Sequence, residues 1–340
     1  MTMNLRETHS PFRIRPLAAA DLEPVVEIDA AVFGRPRQPY FKRRLAAALR
    51  EPALHVQIGL EDRGSLAGYV LARKLEGEFG RLNPALRLEV IGVDPTEQAH
   101  GIGARLIEAL EAEAAERGIH EIRTQAAWRD HAMLRFLDHH GFSLGDNQVI
   151  DCAVEAGAFG PAAEKAFAAP ERASQARELD YSAPQTNDHE QMGRDVADVR
   201  TLERGDLADM ARIDRKLTGR DRTGYVAHQF DEALHNSAIR VSLAARMQGS
   251  VAGFLMAKVD AGDFGRTAPV AVIDTLGVDP EYGSRGLGRA MLSQLMVNLA
   301  ALRVERVETV VSRDNFDVLS FFYKAGFGPS QRLAFVKTLV

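Results

Sequence analysis

The chain has little that would tie it together covalently or hold it in a membrane. Of its 340 residues one is cysteine, Cys152, and one is tryptophan, Trp128. A single cysteine excludes an internal disulfide and any multi-cysteine metal site, and it fits a reducing compartment. Read alone, Cys152 is a small apolar strand residue. No apolar run reaches the ~18 residues of a membrane-spanning segment, and the polar start, Met1 to Arg15, has no hydrophobic signal-peptide core. The expected location is cytoplasmic, with no membrane partner. Basic charge is also short. Forty-two Lys and Arg against 47 Asp and Glu leave a net charge of −5, without the excess that nucleic-acid binding requires. No nucleic acid and no metal are expected, and the substrate is sought among small molecules and proteins.

What the chain does have is one pattern written twice, at a constant offset of 185 residues from Gly101 to Gly286. Ile91, Gly92, Val93, Asp94, Pro95 and Gly101, Ile102, Gly103 return as Leu276, Gly277, Val278, Asp279, Pro280 and Gly286, Leu287, Gly288. The register also pairs Arg15 with Arg200, Asp21 with Asp206, Tyr40 with Tyr225 and Gly141, Phe142 with Gly326, Phe327. A repeat this long is a duplicated domain and not a solenoid unit. Units of about 150 residues each suffice for a core of their own. Two domains are expected, 1–155 and 197–340, joined by an unmatched linker over 156–196 that is rich in Ala, Glu, Gln, Pro and Asp.

Within each copy the periodicity predicts a short strand at Phe12 to Arg15, then a helix behind Asp21 carrying Leu22, Val25, Val26 and Ile28. A second helix follows over Tyr40 to Arg50. Ala53 to Leu60, Leu66 to Lys74 and Ala85 to Val93 read as strands, and Asp94, Pro95 ends the third. A helix from Gly101 to Arg117, a strand at Glu121 to Ala126, a helix at His131 to His139 and a last strand at Val149 to Glu155 complete the unit. This order describes an α/β (α+β) fold in which each domain is a mixed, mostly antiparallel sheet flanked by helices.

The glycine turn behind Val93 and Val278 is where chemistry is expected. Glycine places no Cβ between backbone and ligand, so successive N–H groups at a helix start form an anion cradle. The alternative is a plain tight turn. A dinucleotide fingerprint would need a third glycine where the chain has Leu106 and Met291, and a nucleoside-triphosphate loop would need Gly-Lys-Ser/Thr, which is absent.

These residues resemble the GCN5-related N-acetyltransferases. The signature Arg/Gln-x-x-Gly-x-Gly/Ala after a strand ending in Val-x-Pro is matched by Gln98, Gly101 and Gly103 behind Val93 and Pro95, and by Gly286 and Gly288 behind Val278 and Pro280. In the second copy Gly283 holds the Arg/Gln position and Arg285 stands one place before the glycine. A second hallmark, Asn before a helix with an aromatic pair and then Gly-Phe, appears as Asn315, Phe321, Phe322, Tyr323, Gly326, Phe327, and in the first copy as Asp130, Phe136, Leu137, Gly141, Phe142. The resemblance covers both domains and implies two tandem GNAT-like domains. It implies acetyl-CoA as donor, held by Val93, Gln98, Ala99, His100, Gly101, Ile102, Gly103 and Ala104, by Val278, Gly283, Ser284, Arg285, Gly286, Leu287, Gly288 and Arg289, and by Asn315. The implied reaction is direct attack of a neutral amine on the thioester.

An alkyl ammonium of pKa near 10.4 must lose a proton near pH 7, which calls for a base. Glu89 and Asp274 share one repeat position, four residues before the strand-end valine, and are expected to act directly or through water; the alternative is a polar residue on a strand face. The family's tyrosine, four residues before Gly-Phe, is replaced by Leu137 and Phe322, with Tyr323 one step on as candidate acid. Asn315 and Tyr323 make the C-terminal domain the favoured catalytic copy. Gly34, Arg35, Arg37, Tyr40 and their counterparts Gly219, Arg220, Arg222, Tyr225 lie where relatives border the acceptor. These arginines either hold a carboxylate, cap the first helix or tie the domains together. The acceptor is expected to be a small-molecule amine, a protein N-terminus or a lysine. The alternative to an enzyme in both copies is that one or both are non-catalytic acyl-CoA-binding regulatory or structural modules. Duplication further implies an internal pseudo-dimer, so a monomer or weak homodimer is expected.

Overall fold

The computed structural model describes residues 12–76, 83–154, 198–235, 241–260, 262–266 and 268–339. The expected linker and the turn at Gly77 to Arg81 lie outside them. The first repeat runs β1 (Phe12–Pro16), α1 (Leu22–Phe33), α2 (Gln38–Arg50), β2 (His55–Asp62), β3 (Ser65–Leu75), β4 (Ala85–Val93), α3 (Ile102–Glu116), β5 (Glu121–Ala127), α4 (His131–His139), β6 (Ser143–Leu144) and β7 (Asn147–Ala153). The second runs β8 (Asp198–Thr201), α5 (Leu207–Thr218), α6 (Thr223–His235), β9 (Leu243–Met247), β10 (Ser250–Asp260), β11 (Val270–Val278), α7 (Leu287–Ala301), β12 (Arg306–Ser312), α8 (Phe316–Lys324), β13 (Gly328–Pro329) and β14 (Arg332–Thr338).

Alternation along the strands builds a core on each face of each sheet. Tyr69 and Leu71 of β3 join Val25, Ile28, Phe41 and Leu45 of α1 and α2, while Val70 and Ala72 turn to Ile102, Leu106 and Leu110 of α3. Phe254 and Met256 of β10 meet Met210 and Phe230, and Leu255 and Ala257 meet Met291 and Leu295 of α7. Asp21 differs from expectation. Its carboxylate makes no cap bond to α1 and instead accepts from the Ala18 N–H at 2.6 Å and from Arg15.

The sheets do not follow the repeat boundary at their last strands. The first is ordered β1-β2-β3-β4-β5-β14-β6 and the second β13-β7-β12-β11-β10-β9-β8. β14, from the C-terminal repeat, pairs with β5 from Arg332↔Ala127 to Thr338↔Glu121, and β7, from the N-terminal repeat, pairs with β12 from Arg306↔Ala153 to Ser312↔Asn147. Ile150 of β7 thereby enters the core of the second sheet and Phe335 of β14 that of the first. Each sheet is complete only with a strand from the other repeat. Two mixed seven-stranded sheets flanked by helices result, as the sequence implies. Among the described residues no helix is long and apolar enough to cross a membrane.

Candidate active site

The two cradles follow one backbone path. Asp94 and Asp279 accept from the N–H of Thr96 and Glu281 at 2.9 and 3.1 Å, fixing a single 3-10 turn after each central strand. Gln98 and Gly283 are then extended, Ala99 and Ser284 are left-handed at φ 67 and 62, and Gly101 and Gly286 both stand at φ 78. A Cβ on Gly101 or Gly286 would meet nothing within 4 Å. These glycines serve the left-handed turn and leave open space before α3 and α7. Gly103 and Gly288 have another task, because a Cβ there would lie 2.8 Å from Phe136 Cε2 and 3.3 Å from Phe321 Cε2. They seat the ring of the following helix, while their N–H groups stay in the first turn with those of Ile102, Ala104, Leu287 and Arg289, among the donors without an intrahelical acceptor. Open space, orphan donors and the positive end of the helix dipole suit a pyrophosphate.

Side chains make the cradles unequal. In the first, His100 Nδ1 faces Glu97 at 3.4 Å. In the second, Arg285 and Arg289 replace His100 and Ala104, Tyr282 replaces Glu97, and the Arg285 guanidinium lies 5.4 Å from the Tyr282 ring centroid. The Glu281 carboxylate is held by Lys216 at 2.7 Å. A polyanion therefore meets a more positive surface at the second cradle.

Upstream, each central strand carries a bulge and then parts from its parallel neighbour. The β3–β4 register slips between Leu71↔Val90 and Ala72↔Leu88, leaving Glu89 as the extra residue. In β10–β11 it slips between Met256↔Thr275 and Ala257↔Ile273, leaving Asp274. Bulges re-aim a side chain and recur beside active sites. Parallel pairing stops at Arg87↔Arg123 and at Ile273↔Thr309, and hydroxyl bonds from Thr124 to Leu88 O and from Thr309 to Ile273 O, both 2.9 Å, close the crotch of the wedge. Beyond it β4 and β11 keep their antiparallel partners but have no parallel one out to Val93 and Val278, whose side chains are half-buried. Backbone groups along that open edge can receive an extended amide chain.

The two bulge carboxylates have different surroundings. Glu89 is 3% exposed and is held by Arg44 at 2.5 Å, Arg87 at 2.8 Å and Arg73 at 3.5 Å. Burial alone would push its carboxyl up; the charges of Arg44, Arg87, Arg73 and Lys258 outweigh that and hold it well below the usual carboxylate range. A carboxylate so held is a poor proton acceptor. His55, buried nearby, is pushed down to about 2 by burial and then by Arg44. In the second copy Gln229, Lys258 and Val272 stand at the places of Arg44, Arg73 and Arg87. Among the described residues Asp274 keeps one loose ion pair, with Lys258 at 3.9 Å, and its side chain is 11% exposed.

What lies against each carboxylate also differs. The connection between β10 and β11, Gly262 to Arg266, docks into the first repeat. Tyr40 donates to Asp263 at 2.7 Å, Arg87 reaches Asp263 at 3.2 Å, and Arg37 donates to the carbonyls of Gly262 and Arg266. Arg37 also pairs with Asp29, and Arg222 with Asp214. Arg37 thus ties the repeats together, and each of the two arginines already holds a carboxylate of its own repeat. Asp274 instead lines a cavity between the two sheets, bordered by Arg87, Gln125 and Asn147 of one repeat and by Phe264, Val310 and Phe335 of the other. The space that water-sized atoms can occupy within it is about 80 Å³.

The second hallmark splits its work. Asn315 accepts from the Val318 N–H at 3.3 Å as the N-cap of α8, as Asp130 does for Met133 in α4 at 3.0 Å. Phe321 lies against Gly288 and Phe322 is buried in the core, whereas Tyr323 is 41% exposed on the outer turn of α8. Trp128 donates to Gln331 at the start of the exchanged strand and is solvent-exposed. Sequence reasoning missed the arginines around Glu89 and the cavity residues Gln125 and Asn147. The contrast between Arg44, Arg87 and their counterparts Gln229, Val272 was a usable signal for the former.

A splayed central strand, a carboxylate on its bulge and an anion cradle on the next helix define the class of α/β transferases that take an acyl group from a nucleotide-linked donor. The acetyltransferase (GNAT) family model matches residues 22–142 and again 207–327, and the chain belongs to that family. Among curated proteins it is similar to mycothiol acetyltransferases: 36% identity over 98 residues with that of Clavibacter michiganensis, covering 29% of this chain and 28% of the relative. With that of Propionibacterium freudenreichii it shares 35% over 79 residues, covering 23% and 24%. The match thus spans only about a quarter of each relative's length. Among solved structures it resembles a GCN5-related N-acetyltransferase from Sphaerobacter thermophilus at TM-score 0.55 and 16% identity, covering 97% of this chain and 96% of that one. It also resembles a tandem GNAT protein from the clavulanic acid biosynthesis pathway at 0.57 and 16%, covering 96% and 98%. At such identity the likeness is one of fold.

Proposed function

We propose that the chain is an acetyl-CoA-dependent N-acetyltransferase whose working centre is the second copy, with Asp274 as proton acceptor and the acceptor amine entering the cavity between the repeats. The observation that carries this reading is the unequal setting of the two bulge carboxylates. Three arginines and a docked loop surround Glu89, whereas Asp274 has Lys258 as a loose partner, Arg87 further off across the cavity, and faces open space.

The residues fit the donor. Backbone N–H groups of Leu287 to Arg289, with Arg285 and Arg289, would hold its pyrophosphate, and the β11 edge to Val278 its amide-bearing arm. Bound there, acetyl-CoA supplies an activated thioester. The chain's own residues deliver the amine. Asp274, directly or through one water, takes the proton from the entering ammonium, so that the nitrogen lone pair is free to attack. The apolar wall at Phe264, Val310 and Phe335 excludes water from the reacting atoms. A thiol of pKa about 8.5 leaves without strong acid help, so Tyr323 on the outer turn of α8 is not required as proton donor. Asn315 acts by fixing the start of α8. Segments of the chain are similar to mycothiol acetyltransferases, which favours a small-molecule amine over a protein N-terminus or lysine.

The first copy reads best as an acyl-CoA-binding structural half, since its cradle keeps the backbone path while its carboxylate is neutralised. Asp274→Asn tests the assignment. Loss of a general base lowers turnover by about 10²–10⁴-fold, with acetyl-CoA affinity by calorimetry unchanged. Full turnover in the folded variant would remove Asp274 from the mechanism.

A further inference from the structure

The cavity beside Asp274 has an uneven stock of hydrogen-bonding groups. Each cation on its wall is already matched to a carboxylate: Arg87 to Glu89 and Asp263, Arg123 to Glu121 at 2.6 Å, Arg266 to Glu308, and Lys258 to Asp274. Besides the Nε–H of Arg87, which is buried without an acceptor among the described residues, two acceptors on the wall are not matched. Gln125 Oε1 and Asn147 Oδ1 are buried and have no hydrogen-bond donor among the described residues. Buried carbonyls are expected to be satisfied, and where they are not, an absent ligand or water is the usual explanation. Both residues come from the first repeat, on β5 and at the start of exchanged β7; Val310 and Arg332 stand at the same places in the second. Exchanged β7 thus brings Asn147, and β5 of the facing sheet brings Gln125, to the cavity that Asp274 of the other repeat lines.

We propose that Gln125 and Asn147 determine acceptor specificity by receiving donors from the substrate, which is then a primary amine carrying further O–H or N–H groups, such as an amino alcohol or polyamine. This rests on the reading of Asp274 as base. An amino acid or acidic peptide is disfavoured on the same wall, because each cation there is already paired with a carboxylate, Arg87 keeping only its Nε–H to offer, and an incoming carboxylate would face Asp263, Asp274 and Glu308. Phe264, Val310 and Phe335 receive the methylenes between the donor groups.

The test is steady-state transfer from acetyl-CoA to four amines that share a four-carbon chain: n-butylamine, 4-aminobutan-1-ol, 1,4-diaminobutane and 4-aminobutanoate. The alcohol and the diamine should exceed n-butylamine in kcat/KM by about tenfold or more, the worth of satisfying a buried acceptor, and 4-aminobutanoate should be poorest. Gln125→Leu and Asn147→Leu should each erase most of that preference through KM with kcat nearly held, and Asn147→Asp, which keeps an acceptor oxygen, should retain preference for the alcohol. Equal or better use of n-butylamine or 4-aminobutanoate, transfer to none of the four, or an unaltered preference in leucine variants that melt like the wild type, would overturn the inference. Failure of the underlying reading looks different: acetyl-CoA would not bind at the second cradle, or Asp274→Asn would leave every rate intact.

Discussion

Replacing Glu89 by Gln should damage the fold and spare the chemistry, the reverse of what a catalytic base would show. Glu89 is 3% exposed and neutralises Arg44, Arg87 and Arg73, which reach it from α2, β4 and β3. Removing one member of a buried ion pair costs about 3–5 kcal/mol, because the remaining charge stays buried without compensation. Here three guanidiniums lose their common carboxylate, so the upper part of that range applies. For domains of this size the cost corresponds to a fall in Tm of roughly 8–20 °C. The depressed carboxyl adds stability above its unfolded value near 4.3 and loses it as pH falls towards the folded value. Glu89→Gln should therefore also flatten the acid limb of the stability profile. The assay is thermal melting by circular dichroism against pH, paired with initial rates of acetyl transfer well below the melting range. A variant that melts like the wild type yet transfers about 100-fold more slowly would refute the structural role and return Glu89 to the catalytic centre.

Two further outcomes follow from the same surroundings. His55 is neutral in the fold, with its imidazole pushed down to about 2, and takes up a proton on unfolding below its ordinary value near 6.5. Stability should fall as pH drops from about 6.5, at up to ~1.4 kcal/mol per pH unit from this group, and His55→Leu should flatten that slope in urea unfolding between about pH 6 and 4. Arg285→Ala should weaken acetyl-CoA binding several-fold at low salt and less as salt screens the site, whereas His100→Ala, beside Glu97, should leave binding little changed; calorimetric titration at two ionic strengths checks both.

Much of this was legible in the sequence because it is local. The 3.6- and 2-residue periodicities placed α1 to α4 and β1 to β5 within a few residues of where they lie, and the repeat required a second set. The turn at Gly101 and Gly286 needs φ 78, and few residues other than glycine supply it. The exchange of β7 and β14 was not legible. Val149, Ile150 and Ala334, Phe335 present the same alternation at repeat-equivalent positions, so nothing local distinguishes pairing with the strand's own β5 or β12 from pairing with the other. The bulge was equally silent, since one extra residue leaves no compositional mark. Glu89 and Asp274 shared a position and therefore looked alike; what separates them is carried by Arg44 and Arg73, distant in sequence, and by a loop from the other repeat.

The most direct test of a working second copy is acetyl transfer by Gly101→Glu and Gly286→Glu, with acetyl-CoA binding followed in the same samples. At either site a new Cβ is unobstructed, so the cost is the left-handed conformation, about 1–2 kcal/mol, plus a negative charge set in the cradle. Gly286→Glu should abolish transfer and remove the tighter binding event, while Gly101→Glu should transfer as the wild type does. Transfer that survives Gly286→Glu in a folded protein, or is lost in Gly101→Glu, would place the chemistry in the first copy instead.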